Sequence, residues 1–277
     1  MSVIVKNARD LKMDLRGFQM SYDDLGDSVV PLIFIHGFPF DKSTWAEQMN
    51  LLKGKMRVIA PDLRGFGKSG KTEEAFSIGL FADDVLALMD KLEIKKAVLC
   101  GFSMGGYIAL NLMGRAHERF AGLILCDTQC IADTDAGREK RMKSIAQIEA
   151  GGIKEFADGF VKAVFCEASL RDKTEIVENI RRIILSTDAS TITSTLLALA
   201  KRNETCSVLS SVKIPCMILC GEEDAVTVPA QSEFMHKHIP HSVFHLIPQA
   251  GHMSNLEQTA IFNGHLLHFM DKLLTKK

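Results

Sequence analysis

The stretch Val98-Leu99-Cys100-Gly101-Phe102-Ser103-Met104-Gly105-Gly106-Tyr107-Ile108-Ala109-Leu110 decides the fold. The apolar run from Ala97 to Cys100 reads as a buried strand, the glycine-dense turn as a reversal, and Tyr107 to Met113 as a helix. Ser103 stands at the apex. Gly101 and Gly105, two residues to either side, remove the Cβ atoms that would collide in so sharp a turn, and the serine side chain is lifted clear of the backbone. The Met104 amide falls in the first helical turn, where donors are unpaired and the dipole is positive, so an oxyanion beside Ser103 meets a prepared donor. A dinucleotide-binding turn also places glycines between strand and helix. That fingerprint requires G-x-G-x-x-G, and Ser103 occupies the place of its second glycine.

With 277 residues, 47% of them hydrophobic, the chain is long enough for one large α/β domain carrying a smaller insertion. Thirty-three basic residues against thirty-four acidic ones leave a formal charge of −1, which implies no general attraction to nucleic acid or to an anionic membrane. Met1 to Asp10 carries Lys6 and Arg9 and lacks the apolar length of a secretory signal, and the run Val29 to Ile35 is far short of the ~18 residues of a membrane span. Seven cysteines without a C-x-x-C pair argue against a disulfide framework and a zinc ribbon; all seven read as small buried or partly buried side chains in a reducing cytoplasm. Cys216 and Cys220 share one expected strand, roughly 13 Å apart and out of bridging range. The oligomeric state is left open.

The first half alternates strand and helix. An antiparallel hairpin edge is expected from Leu11 to Met20 and its neighbours, with Asp23-Asp24-Leu25-Gly26-Asp27 supplying turn residues, followed by buried strands over Val30 to Ile35, Arg57 to Ala60, Lys96 to Cys100 and Gly122 to Cys126. Ser43-Thr44 reads as the cap of a helix over Trp45 to Leu52, and an amphipathic helix follows Ser77. Such alternation demands right-handed crossovers and a mostly parallel sheet. Gly67-Lys68-Ser69 suggests a phosphate loop, but G-x-x-x-x-G-K-[ST] would need glycine at Asp62; Asp62 and Arg64 are read instead as pairing or bonding to nearby loop backbone. From Gln129 to Thr205 the rhythm breaks into helical stretches only, a segment too long for a loop and placed to lie over the strand ends. Strand character returns at Ile214 to Gly221 and Val243 to Ile247, with Pro229 opening a helix and Asn255 a possible cap for the last one.

Ser103, Asp224 and His252 each follow a separate strand, and they are the three chemical types that serine-based acyl transfer needs. The hydroxyl is a weak nucleophile near neutral pH. His252 takes its proton only if an acceptor such as Asp224 holds the other ring nitrogen. His36-Gly37-Phe38-Pro39, ending an earlier buried strand, brings the Phe38 amide to the same sheet edge as a second oxyanion donor.

Five stretches together resemble the α/β-hydrolase fold family: His36-Gly37-Phe38-Pro39, Asp62-Leu63-Arg64-Gly65-Phe66-Gly67-Lys68-Ser69, Gly101-Phe102-Ser103-Met104-Gly105-Gly106, Gly221-Glu222-Glu223-Asp224 and Gly251-His252. Within it the chain is most similar to 3-oxoadipate enol-lactonases and small carboxylesterases. The resemblance implies a mostly parallel eight-stranded sheet flanked by helices, a core domain of residues 1–128 and 206–277, and a helical cap over 129–205. It implies Ser103, Asp224 and His252 as catalytic residues, the Phe38 and Met104 amides as oxyanion hole, and His36 and Gly37 beside the substrate. No metal or cofactor is implied, and the expected partner is a small-molecule ester or lactone. Some relatives carry the acid one strand earlier, where Asp127 stands; Asp224 is preferred. The same triad serves cofactor-free perhydrolases and carbon-carbon bond hydrolases, and a ligand receptor with a vestigial site is the non-enzymatic alternative. Arg138, Lys140, Arg141, Lys143, Arg181 and Arg182 either meet a carboxylate on the substrate or lie on solvated helix faces, the latter being preferred.

Overall fold

The computed structural model describes residues 6–275. The reading of Met1 to Asp10 therefore lies partly outside the described residues. In chain order the elements are β1 (Lys6–Leu15), β2 (Phe18–Gly26), β3 (Leu32–Ile35), α1 (Ala46–Leu52), β4 (Val58–Pro61), α2 (Ile78–Lys91), β5 (Ala97–Phe102), α3 (Met104–Ala116) and β6 (Phe120–Cys126). Then follow α4 (Asp135–Glu149), α5 (Ile153–Val164), α6 (Glu167–Asp172), α7 (Thr174–Ser186) and α8 (Ala189–Ala200). The chain closes with β7 (Cys216–Gly221), α9 (Pro229–His238), β8 (Val243–Ile247), α10 (Ser254–Glu257) and α11 (Thr259–Thr275).

Eight strands form one sheet in the order β1-β2-β4-β3-β5-β6-β7-β8. β1 and β2 form the expected hairpin at one edge, though it turns at Arg16-Gly17 and Asp23 to Gly26 lie in β2 rather than in a turn; β2 joins β4 antiparallel, and every other pairing is parallel. The parallel centre follows from strands such as Leu-Ile-Phe-Ile of β3 and Ala-Val-Leu-Cys-Gly-Phe of β5, which are apolar on both faces and fully buried. Truncating one of these side chains, as in Ile33→Ala, removes about 2–5 kcal/mol of stability. β3, β5, β6 and β7 run side by side and in the same direction, so the loops at their carboxyl ends emerge along one edge.

Between β6 and β7 lie five α-helices, a 3₁₀ turn over Cys206–Ser211 and, among the described residues, no strand. α5 and α7 are strongly amphipathic: Phe156, Ala157, Val161 and Val164 of α5 and Ile180 and Ile184 of α7 are buried while their charged faces are solvated. No single helix among the described residues is long and apolar enough to cross a membrane.

Three further expectations are corrected. The turn before α1 is capped by Asp41, whose side chain accepts from the Ser43 amide at 2.9 Å, because the chain enters it two residues before Ser43. Asn255 does not cap α11; it lies in the short α10 and donates Nδ2 to the Thr44 carbonyl at 2.8 Å, tying the last helices to α1's entry. Finally, Cys130 and Cys206 form a disulfide across 76 residues of sequence, so the seven are not all free thiols. An odd count without C-x-x-C says nothing about two ends of an insertion that return to the same place. Cys100, Cys126, Cys166, Cys216 and Cys220 are free and buried, as expected.

Candidate active site

The turn from β5 into α3 holds Ser103 at φ 51°, ψ −113°. A positive φ on a non-glycine residue costs on the order of 1–3 kcal/mol and persists only where its surroundings over-determine it. Here the Ser103 amide donates to the Cys126 carbonyl of β6 at 2.9 Å, its carbonyl accepts from the Gly106 amide and the Thr128 hydroxyl, both at 2.8 Å, and the helix start is pressed against β3. A Cβ on Gly105 would come within 2.2 Å of the Ile35 carbonyl oxygen, so glycine is required for that approach. The same close packing brings the loop after β3 to the serine: a Cβ on Gly37 would lie 2.8 Å from the Phe102 ring and 3.1 Å from Ser103 Cβ.

His252, in the loop after β8, sets Nε2 2.9 Å from Ser103 Oγ and Nδ1 2.8 Å from Asp224 Oδ2. A carboxylate at Nδ1 requires the proton there, which leaves Nε2 as the acceptor for the serine O–H. Asp224, in the turn after β7, is held in turn: Oδ1 accepts from the Val226 and Thr227 amides at 2.8 and 3.0 Å, and Oδ2 from the Thr227 hydroxyl at 2.8 Å. Burial acts to raise its pKa, but the electrostatic attraction of the His252 imidazole, the bond to it and the Thr227 donors outweigh burial and hold it below the usual carboxylate range. The result is a Ser103-His252-Asp224 triad, the arrangement of a serine hydrolase that works through an acyl-enzyme.

Asp127, the other position for the acid, faces elsewhere. Its Oδ1 accepts from the Gly221 amide at 2.8 Å and its Oδ2 from the Ser254 hydroxyl at 2.5 Å. Complete burial, reinforced by the nearby charge of Asp224, drives its pKa well above the ordinary value. His36 is likewise enclosed: Nε2 accepts from the Leu63 amide at 2.9 Å, so Nδ1 carries the proton and donates to the Gly37 carbonyl at 2.8 Å. Asp62 laces the same region together, accepting from the Lys42 and Lys68 amides, both at 2.9 Å, and pairing with Lys42 Nζ at 2.7 Å. Arg64 reaches past the loop to α2, where it forms a buried bidentate pair with Asp84 at 2.7 and 2.8 Å.

Residues 30–259 match the family described as alpha/beta hydrolase fold. The chain belongs to that family. The hydrolase is similar to two proteins of Acinetobacter baylyi: 3-oxoadipate enol-lactonase 2, at 32% identity over 88% of this chain and 90% of that one, and 3-oxoadipate enol-lactonase 1, at 30% over 83% and 85%. A thermophilic esterase from Thermogutta terrifontis, solved with malate bound, superimposes with a TM-score of 0.90 at 32% identity, covering 96% of this chain and 99% of the other. It is thus an α/β-hydrolase fold protein related to enol-lactonases and small esterases.

Around the triad of this hydrolase the side chains are aromatic. The Phe102 ring lies 5.1 Å from that of His252 and 6.0 Å from that of Phe40; Phe38 packs against Phe156 and Phe160 of α5 at 6.4 and 5.8 Å. The sequence reading placed a helical stretch here but could not say that an apolar face of α5 would meet the loop after β3. Of the cations singled out in the sequence, Arg138 is paired with Asp135 at 2.6 Å, Arg141 with Asp133 at 2.5 Å, Lys143 with Glu139 at 2.8 Å and Arg181 with Asp158 at 2.6 Å, and Arg182 bonds to Asn179. Lys140 is exposed. Two site residues were missed in sequence. Thr227 had a local signal, since a threonine three residues after an aspartate commonly closes an Asx turn. Glu257, buried behind His252, had none.

Proposed function

We propose that this protein hydrolyses a small carboxylic ester or lactone, with Ser103 as nucleophile, His252 as general base and then acid, and Asp224 as orienter. The hydroxyl attacks the carbonyl carbon while Nε2 takes its proton. The Phe38 and Met104 amides receive the tetrahedral oxyanion; among the described residues neither has a hydrogen-bond acceptor of its own. The imidazolium then protonates the leaving alkoxide, and water, activated by the same nitrogen, releases the acid and restores Ser103. No redox or metal-borne step enters this sequence. Gly37 permits the close approach of the donor loop, and His36 fixes that loop's shape through its two backbone bonds. Residues 129–205 form the cap in this reading, resting α5 on Phe38. Phe38, Phe156 and Phe160 favour an uncharged apolar substrate group, and Arg138, Arg141, Lys143 and Arg181 are already paired with acids of the insertion.

The observation that carries the reading is the single imidazole bridging Ser103 at 2.9 Å and Asp224 at 2.8 Å. The test is hydrolysis of p-nitrophenyl butyrate and a panel of lactones, together with labelling by a fluorophosphonate probe and mapping of the adduct by mass spectrometry. Turnover and an adduct on Ser103 are expected. An unlabelled Ser103, or turnover that survives Ser103→Ala, overturns the assignment.

A further inference from the structure

Glu257 is fully buried five residues beyond His252, and its carboxylate joins two parts of the chain that the sequence keeps far apart. One oxygen accepts from the Met253 amide at 3.2 Å, on the residue next to His252; the other accepts from the Cys166 amide at 2.9 Å, where the insertion passes from α5 to α6. Further ties run alongside. The Met253 amide also donates to the Val164 carbonyl at 3.2 Å, Cys166 Sγ to the Gln249 carbonyl at 3.6 Å, and Lys173 Nζ to the carbonyl of Glu257 itself. The two backbones are pressed together here, since a Cβ on Gly251 would come within 2.7 Å of the Cys166 nitrogen.

We infer that Glu257 is the positioning residue for His252 and couples that imidazole to the insertion. The inference rests on the hydrolase reading above. A buried carboxylate that accepts from both amides leaves the histidine loop no independent freedom relative to residues 164–173. Any displacement of this part of the insertion is therefore passed to Met253 and so to His252. The imidazole must keep Nε2 on Ser103 and Nδ1 on Asp224 at once, and a shift of a fraction of an ångström breaks one of the two.

The experiment compares Glu257→Gln, Glu257→Asp and Lys173→Met with the unaltered protein, following p-nitrophenyl butyrate turnover, the rate of fluorophosphonate labelling at Ser103, and thermal melting. Glutamine sets an N–H₂ donor against a backbone donor, so Glu257→Gln is expected to lower kcat by about 10- to 100-fold with KM nearly unchanged, as misplacement of a catalytic group does. Labelling slows by the same factor, and the carboxylate of Glu257→Asp restores part of it. Lys173→Met, a substitution outside the triad on the insertion side, lowers kcat in the same direction by a smaller factor. Should Glu257→Gln fail to fold, Lys173→Met decides. Unchanged kcat in the folded variants, or losses confined to KM or matching the unfolded fraction, overturns the inference; absence of labelling in the unaltered protein overturns the hydrolase reading instead.

Discussion

Carboxylate oxygens of Asp127 and Asp224 lie within 4.8 Å of one another, both groups buried, yet only Asp224 reaches His252. Two charges so close in a dry interior cannot both be held cheaply, and the two sites resolve the conflict oppositely. Asp224 has the His252 Nδ1–H and three further donors on its oxygens; Asp127 has one amide and one hydroxyl. Asp224→Asn is therefore expected to cut kcat on the order of 10,000-fold, since the amide selects the wrong imidazole tautomer. Asp127→Asn keeps an acceptor for Gly221 and a donor for Ser254, so kcat/KM stays close to that of the unaltered protein. Steady-state kinetics on the pair of variants separates the two roles.

Ser103 carries both the chemistry and the strain. Ser103→Ala should leave only the residual catalysis of the oxyanion donors, with a melting curve little changed. Ser103→Gly should be equally inactive yet at least as stable, because relief of about 1–3 kcal/mol of backbone strain exceeds the 0.5–1 kcal/mol or so that glycine's added freedom costs. Differential scanning calorimetry of the two variants measures the difference.

Acid should weaken the fold through His36. Burial lowers its pKa, outweighing the Gly37 carbonyl and the Asp62 and Asp41 charges that favour the protonated ring. Below about pH 6.5 the unfolded chain takes up a proton that the folded chain refuses, so this contribution is complete above that pH and is lost as pH falls toward the lowered folded value. A protonated Nε2 also loses the Leu63 amide. Melting temperatures measured from pH 7.5 to 5 are expected to fall in the unaltered protein and to slope less in His36→Gln, whatever that variant's stability at neutral pH.

The disulfide between Cys130 and Cys206 closes the insertion at its base. In the chain-entropy description a loop of that length contributes about 4–5 kcal/mol, an upper figure when the unfolded chain retains structure. Cys130→Ser, or reductant added to the unaltered protein, should lower the melting temperature by comparable amounts. The two treatments together should do no more than either alone.

Much of the architecture was readable one residue at a time. Continuous apolar runs separated by turn residues and helical periods specify buried parallel strands, because a strand covered on both faces has no polar side to alternate. The elbow at Ser103 was legible for a similar reason: its geometry is largely local, since a Cβ on Gly101 would come within 2.3 Å of the Gly105 carbonyl oxygen four residues on. His36-Gly37-Phe38 and Asp224 could likewise be assigned to strand ends from the residues beside them.

What tertiary structure alone decided are the meetings. Asp224 was preferred over Asp127 from the sequence, but the contact itself, one of two neighbouring carboxylates facing His252 at 2.8 Å, is a tertiary fact that no local pattern encodes. Cys130 finds Cys206, Phe38 finds Phe156 and Phe160, and Glu257 finds Cys166 only because the insertion folds back over the sheet edge. Periodicity reports which face of an element is apolar. The partner for that face is set by how whole elements pack, which is a property of the assembled chain.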